Sequence, residues 1–420
     1  MVWKMDIVVS PQERLRLSKV EGDLIIGDGG VVEVEGEELI VTGAVICRGD
    51  ARIQGSVRAE RLEGEPEEEW LWRERRGGRI RVEGDLKVKD YVRVRNFLTV
   101  KGNLSAEDVD VGGALEVDGG VSCRTVDVGG RLKTGGDLKA EDVSVGGSVR
   151  VEGEASADKV DVGGTMKVRG SCTFKRLDVG GSAEVGGGEI EEIEVGGSFR
   201  SHGELKFKRI DVGGTVKLEG RGEGERIDVG GTVKLSSGSH IDEIDVGGTL
   251  RAEGDLEGGS IDVGGSVRIQ GDLTLSGTLK VGGTARLRGF GRMRGLDIGG
   301  SMEAEGVIVE EDAEIGGRMT TVKGLKARRI RIGRRSRVSG PLIGEHVRIE
   351  RGAEVGDVYA KVLVMGRDSS AENLYIERGK INRGCRIYGS IKYLEDVKVD
   401  REAEVSEAPE KVHSLPQPPL

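Results

Sequence analysis

The side chains best suited to chemistry in this sequence are its few cysteines and histidines. They are Cys47, Cys123, Cys172 and Cys385, and His202, His240, His346 and His413. The cysteines lie far apart and form no C-x-x-C pair, so neither a zinc site nor a disulfide framework is predicted. The histidines show no metal-ligand spacing. We therefore expect reduced thiols, surface imidazoles and no metal site.

Pairs of glycines recur along the chain and resemble phosphate-binding loops at first sight. They lack the G-x-x-x-x-G-K-[ST] pattern, and no helix follows whose N-terminus could hold an anion. We therefore expect no nucleotide and no other cofactor.

Composition and charge exclude several further classes of protein. Lys and Arg total 64 against 74 Asp and Glu, so the formal charge is -10 and no broad basic field for nucleic acid exists. There are 72 Gly but only 5 Phe, 5 Tyr and 3 Trp, too few aromatic residues for a large globular core. No apolar stretch of spanning length and no secretory signal is evident, which indicates a cytoplasmic protein. The scarcity of Asn and Gln beside abundant Glu, Lys and Arg is typical of thermophiles.

An internal repeat determines the predicted fold. An apolar residue followed by two glycines occurs at Val111, Val128, Val145, Val162, Val179, Val195, Val212, Val229, Val246, Val263, Val281, Ile298 and Ile315. The steps are 17 residues except for one of 16 and one of 18, and the phase extends from Val94 to Ile349. Such a constant period predicts one stack of similar units.

Each unit shows the alternation of short strands. Between Val145 and Val162, apolar residues fall in three alternating pairs: Val149 and Val151, Ala155 and Ala157, and Val160 and Val162. Glycines at the first two corners are expected to supply unusual backbone conformations and to let successive corners stack closely. The sequence therefore predicts an all-β, single-stack parallel β-helix of triangular cross-section with about 17 residues per coil. We expect Cys123 and Cys172 to be core residues.

The repeat divides the chain into six segments. They are an N-terminal extension (1–23), degenerate first coils (24–63), a looped-out insertion rich in Trp, Glu and Arg (64–78), the regular β-helix (79–349), irregular C-terminal coils (350–406) and a disordered Pro-rich tail (407–420). An insertion is expected to leave a solenoid at a corner, where extra residues disturb the stack least.

Two stretches of the chain carry a recognisable motif, GEASADKVDVGGTMKV at 153–168 and the more degenerate RVSGPLIGEHVRI at 337–349. These stretches resemble the bactofilins, a family of polymer-forming cytoskeletal proteins. The resemblance covers most of the chain, from about residue 24 to residue 405. It implies a right-handed β-helix that polymerises end to end without nucleotide, and a peripheral membrane or cell-envelope partner in some cases. The right-handed sense also agrees with the general preference of parallel crossovers.

The aromatic residues near the chain ends are the candidate assembly contacts. The family often has a phenylalanine near its C-terminal end, whereas the last phenylalanine here is Phe290, so Tyr388 and Tyr393 would take its place. A solenoid exposes unpaired backbone groups and apolar interior at its ends, so each end must be capped or joined. Trp70 and Trp72 in the insertion are the second candidate pair.

Two rows of charge follow the repeat. The residue before the apolar residue of each apolar-Gly-Gly motif is acidic in most units, as at Asp228, Asp245 and Asp262. A cation lies five residues after the same apolar residue, as at Lys234, Arg251 and Arg268. Stacking would turn each row into a ladder of like charge. One interpretation is that the rows pair across a corner or that the acid braces the turn. The other is lateral bundling, in which the acidic face of one rod meets the basic face of the next.

The function predicted from these patterns is structural and not enzymatic. The first hypothesis is a nucleotide-independent homopolymer or scaffold that assembles through its terminal coils. The alternative is a non-polymerising β-helical rod that binds a partner through its insertion or ends. A β-helical enzyme is the minor alternative: a hexapeptide acyltransferase would show periods summing to 18, and a polysaccharide-active enzyme would need long loops and Asp, Arg or Lys on one face.

Overall fold

Every regular element in the described chain is a β-strand. The structure is a computed structural model that describes residues 5–65 and 78–420. Strand pairs between neighbouring coils of the described chain are parallel, and the chain makes about 23 turns of ~17 residues each. The predicted all-β, parallel β-helix is confirmed, whereas its right-handed sense stays a prediction.

The described residues fall into two compact units, those up to residue 208 and those from residue 209 onwards. The strands of the first are β1 (Ile7–Val9), β2 (Arg14–Leu17), β3 (Lys19–Val20), β4 (Leu24–Ile26), β5 (Gly30–Val41), β6 (Ala44–Arg48), β7 (Ala51–Ala59), β8 (Arg61–Glu65), β9 (Arg79–Val82), β10 (Leu86–Val88), β11 (Tyr91–Val94), β12 (Phe97–Val100), β13 (Leu104–Ser105), β14 (Asp108–Val111), β15 (Ala114–Val117), β16 (Val121–Ser122), β17 (Thr125–Val128), β18 (Arg131–Thr134), β19 (Leu138–Lys139), β20 (Asp142–Val145), β21 (Ser148–Val151), β22 (Ala155–Val162), β23 (Thr165–Val168), β24 (Cys172–Val179), β25 (Ser182–Val185), β26 (Gly188–Val195) and β27 (Ser198–Ser201). Strand β28 (Leu205–Val212) contains the point of division.

The second unit contains the remaining strands. They are β29 (Thr215–Leu218), β30 (Gly222–Val229), β31 (Thr232–Leu235), β32 (Ser239–Val246), β33 (Thr249–Ala252), β34 (Leu256–Val263), β35 (Ser266–Ile269), β36 (Leu273–Leu275), β37 (Thr278–Val281), β38 (Thr284–Leu287), β39 (Phe290–Met293), β40 (Gly295–Ile298), β41 (Ser301–Val309), β42 (Asp312–Ile315), β43 (Arg318–Ile332), β44 (Arg337–Ser339), β45 (Leu342–Ile349), β46 (Glu354–Val355), β47 (Val358–Met365), β48 (Ser370–Ala371), β49 (Leu374–Ile381), β50 (Arg386–Ile387), β51 (Ile391–Val399), β52 (Glu404–Val405) and β53 (Glu410–Lys411).

One coil of the first unit shows why the sequence folds in this way. All six predicted inward residues between 149 and 162 are at most 6% exposed. Two consecutive outward residues, Asp158 and Lys159, interrupt the alternation inside β22 and mark a corner there. The coil therefore has three faces, and their inward side chains pack on those of the coils before and after it.

The interior is filled by exchanging volume between neighbouring coils. Ala157 faces Phe174 in the next coil, and Phe174 faces Ile190 in the one after it, all within one inward column. All three side chains are buried. A small residue beside a large one keeps the core close-packed where the backbone spacing is fixed.

The glycine pairs serve close packing and not an unusual backbone conformation. A Cβ atom at Gly163 would lie 2.4 Å from the carbonyl oxygen of Gly146, and one at Gly164 would lie 2.4 Å from that of Gly147. Neither residue has a positive φ, so the expectation of special backbone conformations is wrong at these corners. The close stacking of corners is confirmed, because only a residue without a side chain leaves room for the preceding coil.

A second type of corner, which the sequence analysis missed, depends on Asp and Asn side chains. The Asp137 Oδ1 atom accepts the N–H of Glu154 in the next coil at 2.9 Å, and the Asp272 Oδ1 atom accepts that of Phe290 at 2.8 Å. Equivalent bonds to the following coil are accepted by Asp23, Asp85, Asn103, Asp255, Asp357 and Asn373. Each bond pairs a backbone donor that the strand ladder leaves unpaired at the turn.

The described residues extend the solenoid into both predicted terminal segments. Strand β1 pairs with β4, and β2 and β3 pair with β5, so coils are already present within residues 1–23. Within the segment predicted to be a disordered tail, β53 pairs with β51, and the N–H of Val412 donates to the carbonyl oxygen of Tyr393 at 2.9 Å. These segments pack on the apolar side chains and backbone groups of the adjoining coils. Their sequences lack the 17-residue period, so the repeat could not predict this packing. The segment boundaries themselves stay predictions.

Most of the predicted insertion, and with it Trp70 and Trp72, lies outside the described residues. The register on either side of it is nevertheless continuous, because β7 pairs directly with β9. Arg52 faces Arg81, a separation of 29 residues where regular coils have 17.

We predict that filling a tight glycine corner destabilises the solenoid more than filling a loose one. In Gly163→Ala the new methyl group would lie 2.4 Å from a backbone oxygen, whereas in Gly316→Ala the nearest atom is 3.3 Å away. The first substitution should cost about 1–3 kcal/mol, because backbone must shift, and the second less than about 1 kcal/mol. Thermal unfolding followed by circular dichroism measures the difference. Equal melting temperatures for the two variants would contradict the packing role of the corner.

We also predict that the Asp272 corner needs an oxygen acceptor and not a charge. Asp272→Ala leaves the N–H of Phe290 without its partner and should cost about 1 kcal/mol, whereas Asp272→Asn keeps the acceptor and most of the stability. Asp297→Ala, at an exposed position on β40, is the control and should stay within about 0.5 kcal/mol of the parent protein. If the Asn and Ala variants at 272 unfold alike, the hydrogen bond is not the stabilising feature.

Candidate assembly surfaces

The cysteines lie in or beside the apolar interior. Cys47, Cys172 and Cys385 are buried, and Cys123, which was expected in the core, is only half-buried. Burial raises the pKa of the Cys47 and Cys172 thiols to about 12, and burial with a smaller effect of the Asp108 carboxylate does the same for Cys123. Thiols with such pKa values are poor nucleophiles at neutral pH.

The histidines described in the structure lie on the surface and apart from one another. The His202 Nε2 atom lies 2.7 Å from the Glu184 Oε1 atom, and His240 Nε2 lies 3.6 Å from Asp242 Oδ1. No group of three or more His, Cys, Asp or Glu side chains that could hold a metal ion occurs in the described part of the chain.

The two candidate tyrosines occupy different places in the second unit. Tyr393 lies on β51 opposite Ile376, a fully buried residue of β49, so its side chain continues an inward column of the core. Tyr388 follows β50, is 63% exposed and lines a shallow lateral groove of about 760 Å³ with Arg337, Glu354 and Arg386. The structure therefore does not bring the two tyrosines together in one contact.

The last coils of the second unit leave the apolar interior partly open. Val399 lies opposite Ile381 and Val405 opposite Ile387; the isoleucines are 1% exposed, but the valines are only half-buried. Among the described residues β52 pairs only with β50, and β53 pairs only with β51. This end of the unit thus presents free strand edges next to incompletely covered apolar side chains.

The first coil of the first unit also has a free strand edge and incompletely covered apolar side chains. Leu15 lies opposite Val32, which is fully buried, yet Leu15 itself is only half-buried. Met5 and Val8 are exposed by 72% and 61%. Within the described chain β1 has no strand partner other than β4. Both terminal coils therefore offer the unpaired backbone edges that allow strand addition.

The predicted charge rows are best developed in the second unit, on β29 to β38. Lys217 lies opposite Lys234, Lys234 opposite Arg251, Arg251 opposite Arg268, and Arg268 opposite Arg286. On the neighbouring face Asp228 lies opposite Asp245, which lies opposite Asp262. We call these sets the basic row (Lys217, Lys234, Arg251, Arg268 and Arg286) and the acidic row (Asp228, Asp245 and Asp262).

Comparison with known proteins finds a family match for one segment of the chain. Residues 77–173 match the family model Bactofilin, described as polymer-forming cytoskeletal. The resemblance to the bactofilins is confirmed over this segment. No curated protein and no solved structure matches the chain.

The bactofilin match supports a polymer-forming cytoskeletal role in general terms. It falls in the first unit, where the coils show the same glycine corners and three-faced section as those of the second. In the described residues no helix is long and apolar enough to cross a membrane.

We predict that the buried Cys47 thiol makes the folded protein sensitive to alkali. In the unfolded chain the thiol ionises near pH 9, whereas in the folded protein its pKa is about 12. The thiol's contribution to stability is therefore complete below pH 9 and is lost as the pH rises towards 12, by about 2 kcal/mol at pH 10.5. Chemical denaturation of the parent protein and of Cys47→Ala at pH 8 and pH 10.5 measures this loss as the difference between the two proteins.

Two variants test whether the Cys47 thiol causes the pH dependence of stability. One removes the thiol, and the other removes a buried apolar side chain from the same strand. Cys47→Ala should lose less stability between the two pH values than the parent protein does. Val45→Ala creates a cavity in the same strand without touching a thiol, so it should keep the parent pH dependence. An unchanged pH dependence in Cys47→Ala would refute the proposed role of this thiol.

Proposed function

We propose that this protein is a nucleotide-independent structural protein that polymerises end to end through its terminal coils. The observation that carries the proposal is the open C-terminal end of the second unit, where Val399 and Val405 continue buried columns but remain half-buried. Covering such a surface with another copy removes apolar area from water and pairs the free strand edges. The bactofilin match over residues 77–173 supports polymer formation in general.

The described residues offer surfaces for binding, and no cluster suited to a reaction is found among them. The Cys47, Cys123 and Cys172 thiols are protonated at neutral pH because burial raises their pKa, and the described residues hold no metal-binding cluster. We infer a non-enzymatic role. The free cysteines are consistent with a reducing, cytoplasmic location, and a membrane or cell-envelope partner stays a prediction from the family resemblance.

The second hypothesis is a rod that binds a partner without polymerising. A measurement of self-association distinguishes it from the polymer hypothesis. In buffer without nucleotide, the polymer hypothesis requires filaments that lengthen above a critical concentration. Protein that remains monomeric at every concentration, by sedimentation and electron microscopy, would favour the partner-binding rod.

We predict that charges placed at the open end stop elongation, whereas the same charges on a side face do not. Tyr393→Arg with Val399→Arg puts two cations into inward columns at the end of the second unit. Burying unpaired cations in a contact is costly, so the critical concentration should rise at least about tenfold, or about 1.4 kcal/mol. Filament length by electron microscopy and pelleting assays measure this change.

The matched control is Tyr388→Arg with Val364→Arg. These residues have the same types, but both are exposed, Tyr388 by 63% just after β50 and Val364 by 36% on β47. The control should form filaments of normal length, and circular dichroism should show that both variants are folded. If the end variant elongates normally, the contact lies elsewhere, and Trp70 with Trp72 is the next pair to test.

A further inference from the structure

The basic row is an uninterrupted run of like charge. Its members stand on successive coils in direct register, and the equivalent row in the first unit is broken by acids, as at Glu116 opposite Lys133 and at Glu184 opposite Lys167. Strands of one sheet lie about 4.8 Å apart, so each cation in the basic row is within one side-chain length of the next. Such a row attracts anions of matching spacing.

The middle of the basic row lacks internal counter-charges. Lys217 and Arg286 at its ends pair with Glu219 at 2.5 Å and Glu303 at 3.7 Å. Lys234, Arg251 and Arg268 make no ion pair within the described chain. By contrast, Lys167 in the first unit pairs with Glu184 at 2.7 Å.

The acidic row is similarly unneutralised. Asp228 lies 3.9 Å from Arg226, but Asp245 and Asp262 have neither an ion pair nor a side-chain hydrogen bond with any described residue. Asp245 and Arg251 flank one glycine corner of the same coil without pairing across it. Neither corner pairing nor bracing of the turn by the acid, the two simpler interpretations of the charge rows, occurs at these residues.

We propose that the basic row of one copy binds the acidic row of a second copy side by side. The two rows have the same spacing because both follow the same coils, so ion pairs formed at one level repeat at the next without mismatch. The residues beside the cations on the basic face are the small Thr232, Thr249 and Ser266, which allow close approach of the second copy.

This contact joins different surfaces of the two copies and therefore does not close on itself. After the first contact one copy keeps a free acidic row and the other keeps a free basic row, so further copies add laterally at both. The lateral contact is separate from end-to-end growth, since it uses side faces and needs no filament. It extends the proposed function from single filaments to bundles or ribbons.

Charge exchange between two variants of the full-length protein tests the proposal. Lys234→Glu, Arg251→Glu and Arg268→Glu together make the middle of the basic row acidic, and Asp228→Lys, Asp245→Lys and Asp262→Lys together make the acidic row basic. Each variant alone should fail to associate laterally at about 50 mM salt, whereas their equimolar mixture should associate. Light scattering and filament width by electron microscopy are the measurements.

Salt and a matched charge change provide the controls. Raising salt to about 500 mM shortens the screening length to well below 10 Å and should separate parent bundles into single filaments or rods without unfolding them. Lys139→Glu, Lys206→Glu and Lys326→Glu change the net charge equally but lie on exposed positions outside both rows, so this variant should associate like the parent.

The outcomes separate this proposal from end-to-end polymerisation. The lateral contact is supported if each row variant forms filaments of normal length but reduced width, and if the mixture of the two regains the parent width. Parent protein that stays unbundled at low salt, row variants that bundle normally, or a mixture that stays separate each overturns it. If the parent stays unbundled but binds poly-L-glutamate through the basic row, the partner is a different polyanion and the self-contact is wrong. If no filaments form at any salt concentration, only the proposal of end-to-end growth is contradicted. Lateral pairing of single rods would still be detected by light scattering.

Discussion

Backbone hydrogen bonds between successive coils are the interaction on which the rest of this structure depends. At one glycine corner the N–H of Gly163 donates to the carbonyl oxygen of Val145 at 2.9 Å, and comparable bonds recur at the other corners. A chain that keeps this spacing through a corner cannot carry a side chain there, since a Cβ atom would meet the preceding carbonyl oxygen. The glycine pairs therefore follow from the hydrogen-bonded stack.

The need for a neighbouring coil on each side also explains why the terminal coils are incompletely paired and incompletely buried. An interior coil finds backbone partners and apolar neighbours on both sides, and its inward side chains are buried almost completely. The terminal coils have such partners on one side only, as the half-buried Val399 and Leu15 show. A solenoid therefore places its most adhesive surfaces at its ends, while its side faces vary with little effect on the stack.

The side faces carry the second consequence of stacking. Any outward residue that recurs once per coil becomes a row, so a modest preference for Lys or Arg produces a dense line of charge. Where an acid interrupts the row, as Glu184 does beside Lys167, the charge is neutralised within the molecule. Where none does, as from Lys234 to Arg268, the charge is available to another molecule.

The sequence by itself determined the coil, because one period of 17 residues specifies which residues face inward, and Val149, Ala155 and Val160 are buried as the alternation predicts. It also indicated the resemblance to the bactofilins, which the family match confirms over residues 77–173. Only the tertiary structure showed that Asp272 holds a backbone N–H of the next coil, that Tyr393 points inward while Tyr388 is exposed, and that Asp245 and Arg251 do not pair. The physical reason is that alternation along a strand is a local property. Whether two side chains meet depends on the register and separation of coils that are distant in sequence.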